Sequence, residues 1–244
     1  MQKFINQLNQ LAPIIRNAIM TAILFLIALP GYMVISYVVD TSHSPSLAIS
    51  LDEQIPFLPW TIAIYDWIYI IIFLPLFTVR DVKLFLAISK GFAFIIFISL
   101  TFFLFFPVKI ERPEILAPKD FFEWWVYLNY KIDKPTALFP SMHVSNAIFS
   151  GLAVLYWSKK IGVPAFILSI LISISTLTVK QHFIADVLAG IFLASLSYYL
   201  FLVPYIRNAG QMERKEILLH EQLSAFVPIA GILGTVFMWL IYSM

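Results

Sequence analysis

Pro140-Ser141-Met142-His143 opens onto a strongly apolar run at 144–157, and His182-Phe183-Ile184-Ala185-Asp186 opens onto another at 183–203. Polar and ionisable groups at the mouth of such segments cost free energy and point to function. His182 and Asp186 are four residues apart at the start of a helix, so their side chains share one face. A carboxylate there can accept the proton of ring Nδ1 and leave Nε2 free as a nucleophile. The same carboxylate can also stabilise a helix start without any chemistry. Ser141 reads equally well as a helix cap, and His143 as an interfacial histidine. Taken singly, these residues leave both readings open.

Composition sets the surroundings. The chain has 244 residues, of which 61% are hydrophobic and only 12% charged, and its mean hydropathy is +0.88. A soluble domain is nearer half apolar and a quarter charged, so the fold class is all-α, a polytopic bundle in a membrane. Aromatic residues reach 16%, which suits lipid-facing helices and interfacial belts. A net charge of +2 is too small to suggest a nucleic-acid partner. With no cysteine, disulfide and thiolate chemistry are excluded.

Seven spans are expected, at 17–39, 61–79, 82–106, 144–157, 162–179, 183–203 and 223–242. Residues 1–244 form a single integral membrane domain, with a core at about 17–203, a charged linker at 204–222 and the extra helix beyond it. The first span begins like a signal peptide but is too long and lacks a small-residue cleavage site, so it reads as retained. A Gly231-x-x-Gly234 pair in the last span suits close helix contact. The connection 107–141 is polar and carries Phe121-Phe122-Glu123-Trp124-Trp125-Val126-Tyr127, which reads as a segment lying in the interface. Asp66, inside the second span, reads as a structural partner for a neighbouring helix.

His143 precedes the fourth span and His182 the sixth, with two crossings between them, so both lie on one side of the membrane. Arg112 follows the third span and shares that side. Lys3, Arg16, Arg80, Lys83, Lys159, Lys160, Arg207, Arg214 and Lys215 fall on the other side, which makes it the inner one. Lys109, Arg112, Lys119, Lys131, Lys134 and Lys180 lie outside, next to the polar clusters. The N-terminus is therefore expected inside and the C-terminus outside.

In order and spacing, Arg112-Pro113, then Pro140-Ser141-Met142-His143, then Ser175 with His182-Phe183-Ile184-Ala185-Asp186, resembles the three motifs of the type 2 phosphatidic acid phosphatase superfamily. The resemblance implies a six-helix phosphatase core plus a seventh, C-terminal transmembrane helix. It implies that His182 is the nucleophile that forms a phosphohistidine, that Asp186 orients it and that His143 is the general acid. Ser141 and Arg112 would hold the phosphoryl oxygens. The substrate would be a lipid phosphate monoester or pyrophosphate, and the family uses no metal and no cofactor. Its habits place such a chain in a bacterial inner membrane with a periplasmic site.

Two departures bear on phosphate binding. The family's first motif has a lysine seven residues before its arginine, where this chain has Phe105, so Lys109 is the substitute. The third motif has an arginine six residues before its histidine, where this chain has Thr176, and Lys180 is the replacement cation. Lysine is a point charge rather than a fork, so the binding geometry should differ. Ser175-Thr176 with Lys180-Gln181-His182, and Ile55-Pro56-Phe57-Leu58-Pro59-Trp60, resemble the inositol phosphorylceramide synthase-like branch. In that branch an alcohol can take the phospho group in place of water. His143, His182 and Asp186 are also zinc-ligand types, but the phosphatase pattern explains them together with their neighbours. A transporter or non-catalytic scaffold would leave the ordered motifs unexplained.

Overall fold

The structure is a computed structural model that describes residues 12–208 and 226–243. The described residues are all-helical, without strands. Four helices are long and apolar enough to cross a membrane: Pro13–Val38, Val82–Phe105, Lys159–Thr178 and the continuous run Ile184–Asn208. Residues before Ala12 and the linker from 209 to 225, with Lys3, Arg214 and Lys215, lie outside the described residues.

In chain order, α1 is Pro13–Val38, α2 the short Ser50–Gln54, α3 Ile62–Tyr65, α4 Ile68–Ile71, α5 Leu74–Thr78 and α6 Val82–Phe105. There follow α7, Phe121–Ile132, α8, Met142–Trp157, and α9, Lys159–Thr178. The last are α10, Ile184–Ser197, which continues through a wide turn into α11, Val203–Asn208, and α12, Phe226–Ser243.

The second expected span is not one helix but the three short pieces α3, α4 and α5. Asp66 ends α3 and Pro75, without an N–H, suits only the first turn of α5. Carbonyls loosened by the breaks take side-chain donors instead: Ser150 Oγ donates to Ile71 O at 2.6 Å, and Asn17 Nδ2 to Leu76 O and Val79 O at 3.2 and 2.6 Å. Broken backbone is tolerated at membrane depth only with such partners. The fourth expected span, α8, begins at Met142, so His143 lies inside its first turn. Its 16 residues reach about 24 Å, short of a hydrocarbon core of about 30 Å.

Lipid tails are as apolar as leucine, so the bundle is held by close contact and interhelical hydrogen bonds rather than by hydrophobic exclusion. Ser169 Oγ of α9 donates to Ala147 O of α8 at 2.7 Å, and Ser197 Oγ to Gly91 O of α6 at 3.0 Å. α10 meets α8 at Gly190, where an added Cβ would stand 2.8 Å from Ser141 O and 3.0 Å from Val144 Cβ. Gly190→Ala is therefore expected to push α10 off the start of α8, costing about 1–3 kcal/mol of stability. Thermal unfolding in detergent measures it. At Gly234 a Cβ would meet nothing within 4 Å, and the surroundings of Gly231 lie outside the description. α1 is widely exposed along its apolar residues, with Leu26 70% and Val38 74% exposed.

At one end of the bundle, Arg16 Nη2 donates to Arg80 O at 2.6 Å and Asp81 caps α6 through Leu84 N at 2.6 Å. Tyr205 OH reaches the same Asp81 at 3.1 Å. His143 and His182 are at the other end, where α8 and α10 begin.

Candidate active site

α9 ends in a tight reversal that delivers His182. Lys180 N donates to Leu177 O at 3.2 Å and Gln181 N to Thr176 O at 2.9 Å, the paired bonds of a Schellman ending. His182 N reaches the same Thr176 O at 3.2 Å. Lys180 takes the left-handed position with φ of 52°, which is costly for a residue with a Cβ. Its ammonium offsets that cost by donating to Asp52 O at 3.0 Å and Ile55 O at 2.6 Å. Burial pushes the Lys180 ammonium below the usual lysine range, against the pull of the Asp52 carboxylate.

Phe183, at the N-cap of α10, has no side-chain acceptor, so the helix start draws on others. Asp186 Oδ2 accepts from Phe183 N at 2.9 Å, and Asp52 Oδ1, from α2, accepts from Ile184 N at 2.8 Å. Lys180 and Asp52 thus fasten the α2 segment to the loop that carries His182. Lys180→Ala removes the two ammonium bonds and is expected to cost about 2 kcal/mol. Lys180→Gly, at ease with the positive φ, should be more stable than the alanine variant by about 1 kcal/mol. Melting temperatures of the two variants check the sign.

The three expected catalytic residues stand in a line. Asp186 is fully buried, with Oδ2 3.4 Å from His182 Nδ1. His182, 5% exposed, places Nε2 3.4 Å from His143 Nδ1. The two rings lie 5.6 Å apart at 61°. Beyond them, His143 Nε2 is 3.1 Å from the Tyr65 hydroxyl. Ser141 N donates to Asp186 O at 3.1 Å, which ties the mouth of α8 to the first turn of α10. Ser141 caps α8, its Oγ accepting from Val144 N at 3.3 Å.

Arg112 approaches through a second network. Its side chain is 6% exposed, and Nη2 meets Asp133 Oδ2 at 3.3 Å while Nη1 donates to Asp133 O. Nη2 also donates to Gln181 Oε1, and Gln181 Nε2 donates to Asn129 Oδ1. Asn129 Nδ2 then reaches Asp66 Oδ1 at 3.5 Å, and Trp125 Nε1 donates to Asp66 Oδ2 at 2.6 Å. The guanidinium lies 4.8 Å over the Tyr130 ring, and its Nε is buried without a partner among the described residues. Asp66 thus bonds α7.

Lys109, Arg112, Lys180 and His182 line one cavity of about 560 Å³, with Glu53 and Glu111 among its walls. Lys109 Nζ is 3.4 Å from Ser42 O. Ser141 and His143 are not among the residues that line this cavity. Among the described residues, no cluster of three His, Asp or Glu side chains is placed to hold a metal ion. The sequence reading did not single out Tyr65, Gln181, Asn129 or Asp52 as partners of the site. Gln181 adjoins His182, but only the folded chain brings it to Arg112.

Four helices long and apolar enough to cross a membrane, with a buried, charged, histidine-bearing cluster among the described residues, fit an integral membrane protein. The model of the PAP2 superfamily matches residues 41–200, and the chain belongs to that superfamily, which generally comprises phosphatases and phosphotransferases. No curated protein and no solved structure matches the chain.

Proposed function

We propose that the chain is an integral membrane phosphatase that hydrolyses a lipid phosphate monoester or pyrophosphate through a phosphohistidine on His182. The observation that carries this reading is the line Asp186–His182–His143, with His182 also on the wall of the cavity that Lys109, Arg112 and Lys180 line. Asp186 holds the proton on His182 Nδ1, so Nε2 offers its lone pair to phosphorus. As the N–P bond forms, the P–O bond to the lipid alcohol breaks, and its electron pair goes to that oxygen. His143, held as an imidazolium by the negative charge of the bound phosphate, gives the Nδ1 proton to the leaving oxygen. Water then attacks phosphorus, His143 Nδ1 takes the proton from water, and the P–N electron pair returns to His182 Nε2. Arg112 and Ser141, with Lys109 and Lys180, hold the phosphoryl oxygens, since phosphoryl transfer depends mainly on positioning and charge. The site would face the outer side of a bacterial inner membrane, with the N-terminus in the cytoplasm.

Phosphate release by detergent-purified protein from a panel of lipid phosphates, in chelator, tests this beside His182→Ala. Release that vanishes in the variant supports the reading. Release that survives it refutes a His182 nucleophile, and lipid movement indifferent to both His143 and His182 would favour a transporter.

A second reading is transfer of the phospho group to an alcohol. It draws on Thr176 and Lys180, where the hydrolytic motif has arginine at the first position, and on a cavity much larger than a phosphate with carboxylates beside its cations. Product formation would then require an acceptor alcohol, and full turnover with water alone would exclude it.

A further inference from the structure

Tyr65 is wholly buried, yet it lies on the second, broken span and belongs to none of the three motifs. A buried phenol needs a hydrogen-bond partner. The buried hydroxyls of Ser89, Ser173, Thr176 and Thr178 are satisfied by backbone carbonyls of their own helices. Tyr65 instead meets a side-chain ring, with its hydroxyl 3.1 Å from His143 Nε2 and its own ring 5.3 Å from the imidazole. The tyrosine is itself fixed, since Ile62, Trp125, Val126 and Val179 form a buried cluster around it.

An imidazole has two nitrogens, and the bond made by one decides which chemistry the other performs. His143 Nδ1 faces His182 Nε2 at 3.4 Å, while Nε2 faces Tyr65. We infer that Tyr65 is the positioning residue of the general acid: its hydroxyl occupies His143 Nε2 and confines proton exchange to Nδ1. This rests on the hydrolytic reading above, in which His143 serves the leaving oxygen. The proton count closes with that assignment. The imidazolium loses its Nδ1 proton to the leaving oxygen and becomes the neutral ring carrying Nε2–H. That proton stays on Nε2, donated in a hydrogen bond to the Tyr65 oxygen, and Nδ1 is bare to receive a proton from water in the second step. Without the tyrosine the ring is free to turn, so the imidazolium no longer aims its Nδ1 proton at the leaving oxygen in the first step. The neutral ring can then carry its proton on either nitrogen in the second.

The test separates this role from simple core filling through the leaving group. An alkyl phosphate needs its alkoxide protonated as it departs, whereas the nitrophenolate of p-nitrophenyl phosphate departs without help. Comparing kcat/KM confines the reading to steps up to leaving-group departure. Tyr65→Phe keeps the ring and removes only the hydroxyl. It is expected to lower kcat/KM for a short-chain lipid phosphate about tenfold or more, part of the roughly 10²- to 10⁴-fold that a positioned general acid supplies. For p-nitrophenyl phosphate the loss should be less than about threefold, which also shows that the variant is folded. In a His143→Ala background, Tyr65→Phe should add no further selective loss. Equal losses on both substrates, no loss on either, or a full additional loss without His143 would overturn the inference. His182→Ala run alongside is expected to lose both substrates. Survival of both there would instead remove the hydrolytic reading on which the inference stands.

Discussion

If the proposed phosphohistidine route operates, His182→Ala is expected to lower phosphate release by about 10³-fold or more, because the covalent route itself is removed. No neighbour can take over. Ser141 Oγ accepts the capping bond from Val144 N, and neither Ser141 nor His143 lines the cavity that His182 reaches. Asp186 supports His182 in two ways that substitution can separate. Its Oδ2 faces the ring and also accepts from Phe183 N at 2.9 Å. Asp186→Asn keeps an oxygen for the backbone bond but removes the charge that stabilises the phosphorylated ring. A fall in kcat with an unchanged melting temperature is therefore expected. Asp186→Ala removes the bond as well, and should cost a further 0.5–2 kcal/mol, roughly the value of an N-terminal capping interaction. Parallel assays and melts of the two variants distinguish orientation from stability.

Loss of Arg112 is the second large effect. Arg112→Ala should lower kcat/KM for phosphate release by about 10²-fold or more, as expected when a donor aimed at developing charge is removed. The same change strands the Asp133 carboxylate, 3.3 Å from the guanidinium, and the Gln181 amide, so some stability should go with it. Arg112→Lys restores the charge but not the fork. A point-charge ammonium does not reproduce the planar fork whose two nitrogens meet Asp133 and Gln181, so the lysine variant should recover only a minor part of the activity. Full activity in either variant, on the substrate found in the panel, would remove Arg112 from the phosphate site.

How much of this was legible in the sequence depends on the range of each interaction. The helical membrane character, the pairing of His182 with Asp186 and the placement of Ser141 and His143 at a helix mouth rest on local spacing and composition. Local spacing survives folding almost unchanged. The second span was legible only as apolar length, and its division into three short helices was not. Apolar length sees neither that Asp66 is drawn to Trp125 and Asn129 nor that freed carbonyls find Ser150 and Asn17. Lys180 was read as the replacement cation of the third motif, and what the sequence did not reveal is that its ammonium also bonds the carbonyls of Asp52 and Ile55. Asp52 capping a helix 132 residues away has no local signature at all. Tyr65 is hidden for the same reason, since its partner lies 78 residues downstream.

The most direct measurement is a search for the covalent intermediate on His182. The purified protein would be mixed with a lipid phosphate it turns over, in chelator, quenched in alkali, digested and mapped by mass spectrometry. A single phosphoryl group on the peptide carrying His182, stable to alkali and lost in mild acid, is the expected result. It should be absent in His182→Ala. With p-nitrophenyl phosphate as donor, whose leaving group needs no acid, it should accumulate when His143 is replaced, since hydrolysis then lacks its base. A phosphoryl group on another residue, or turnover with no trapped intermediate in either background, would contradict a nucleophilic His182.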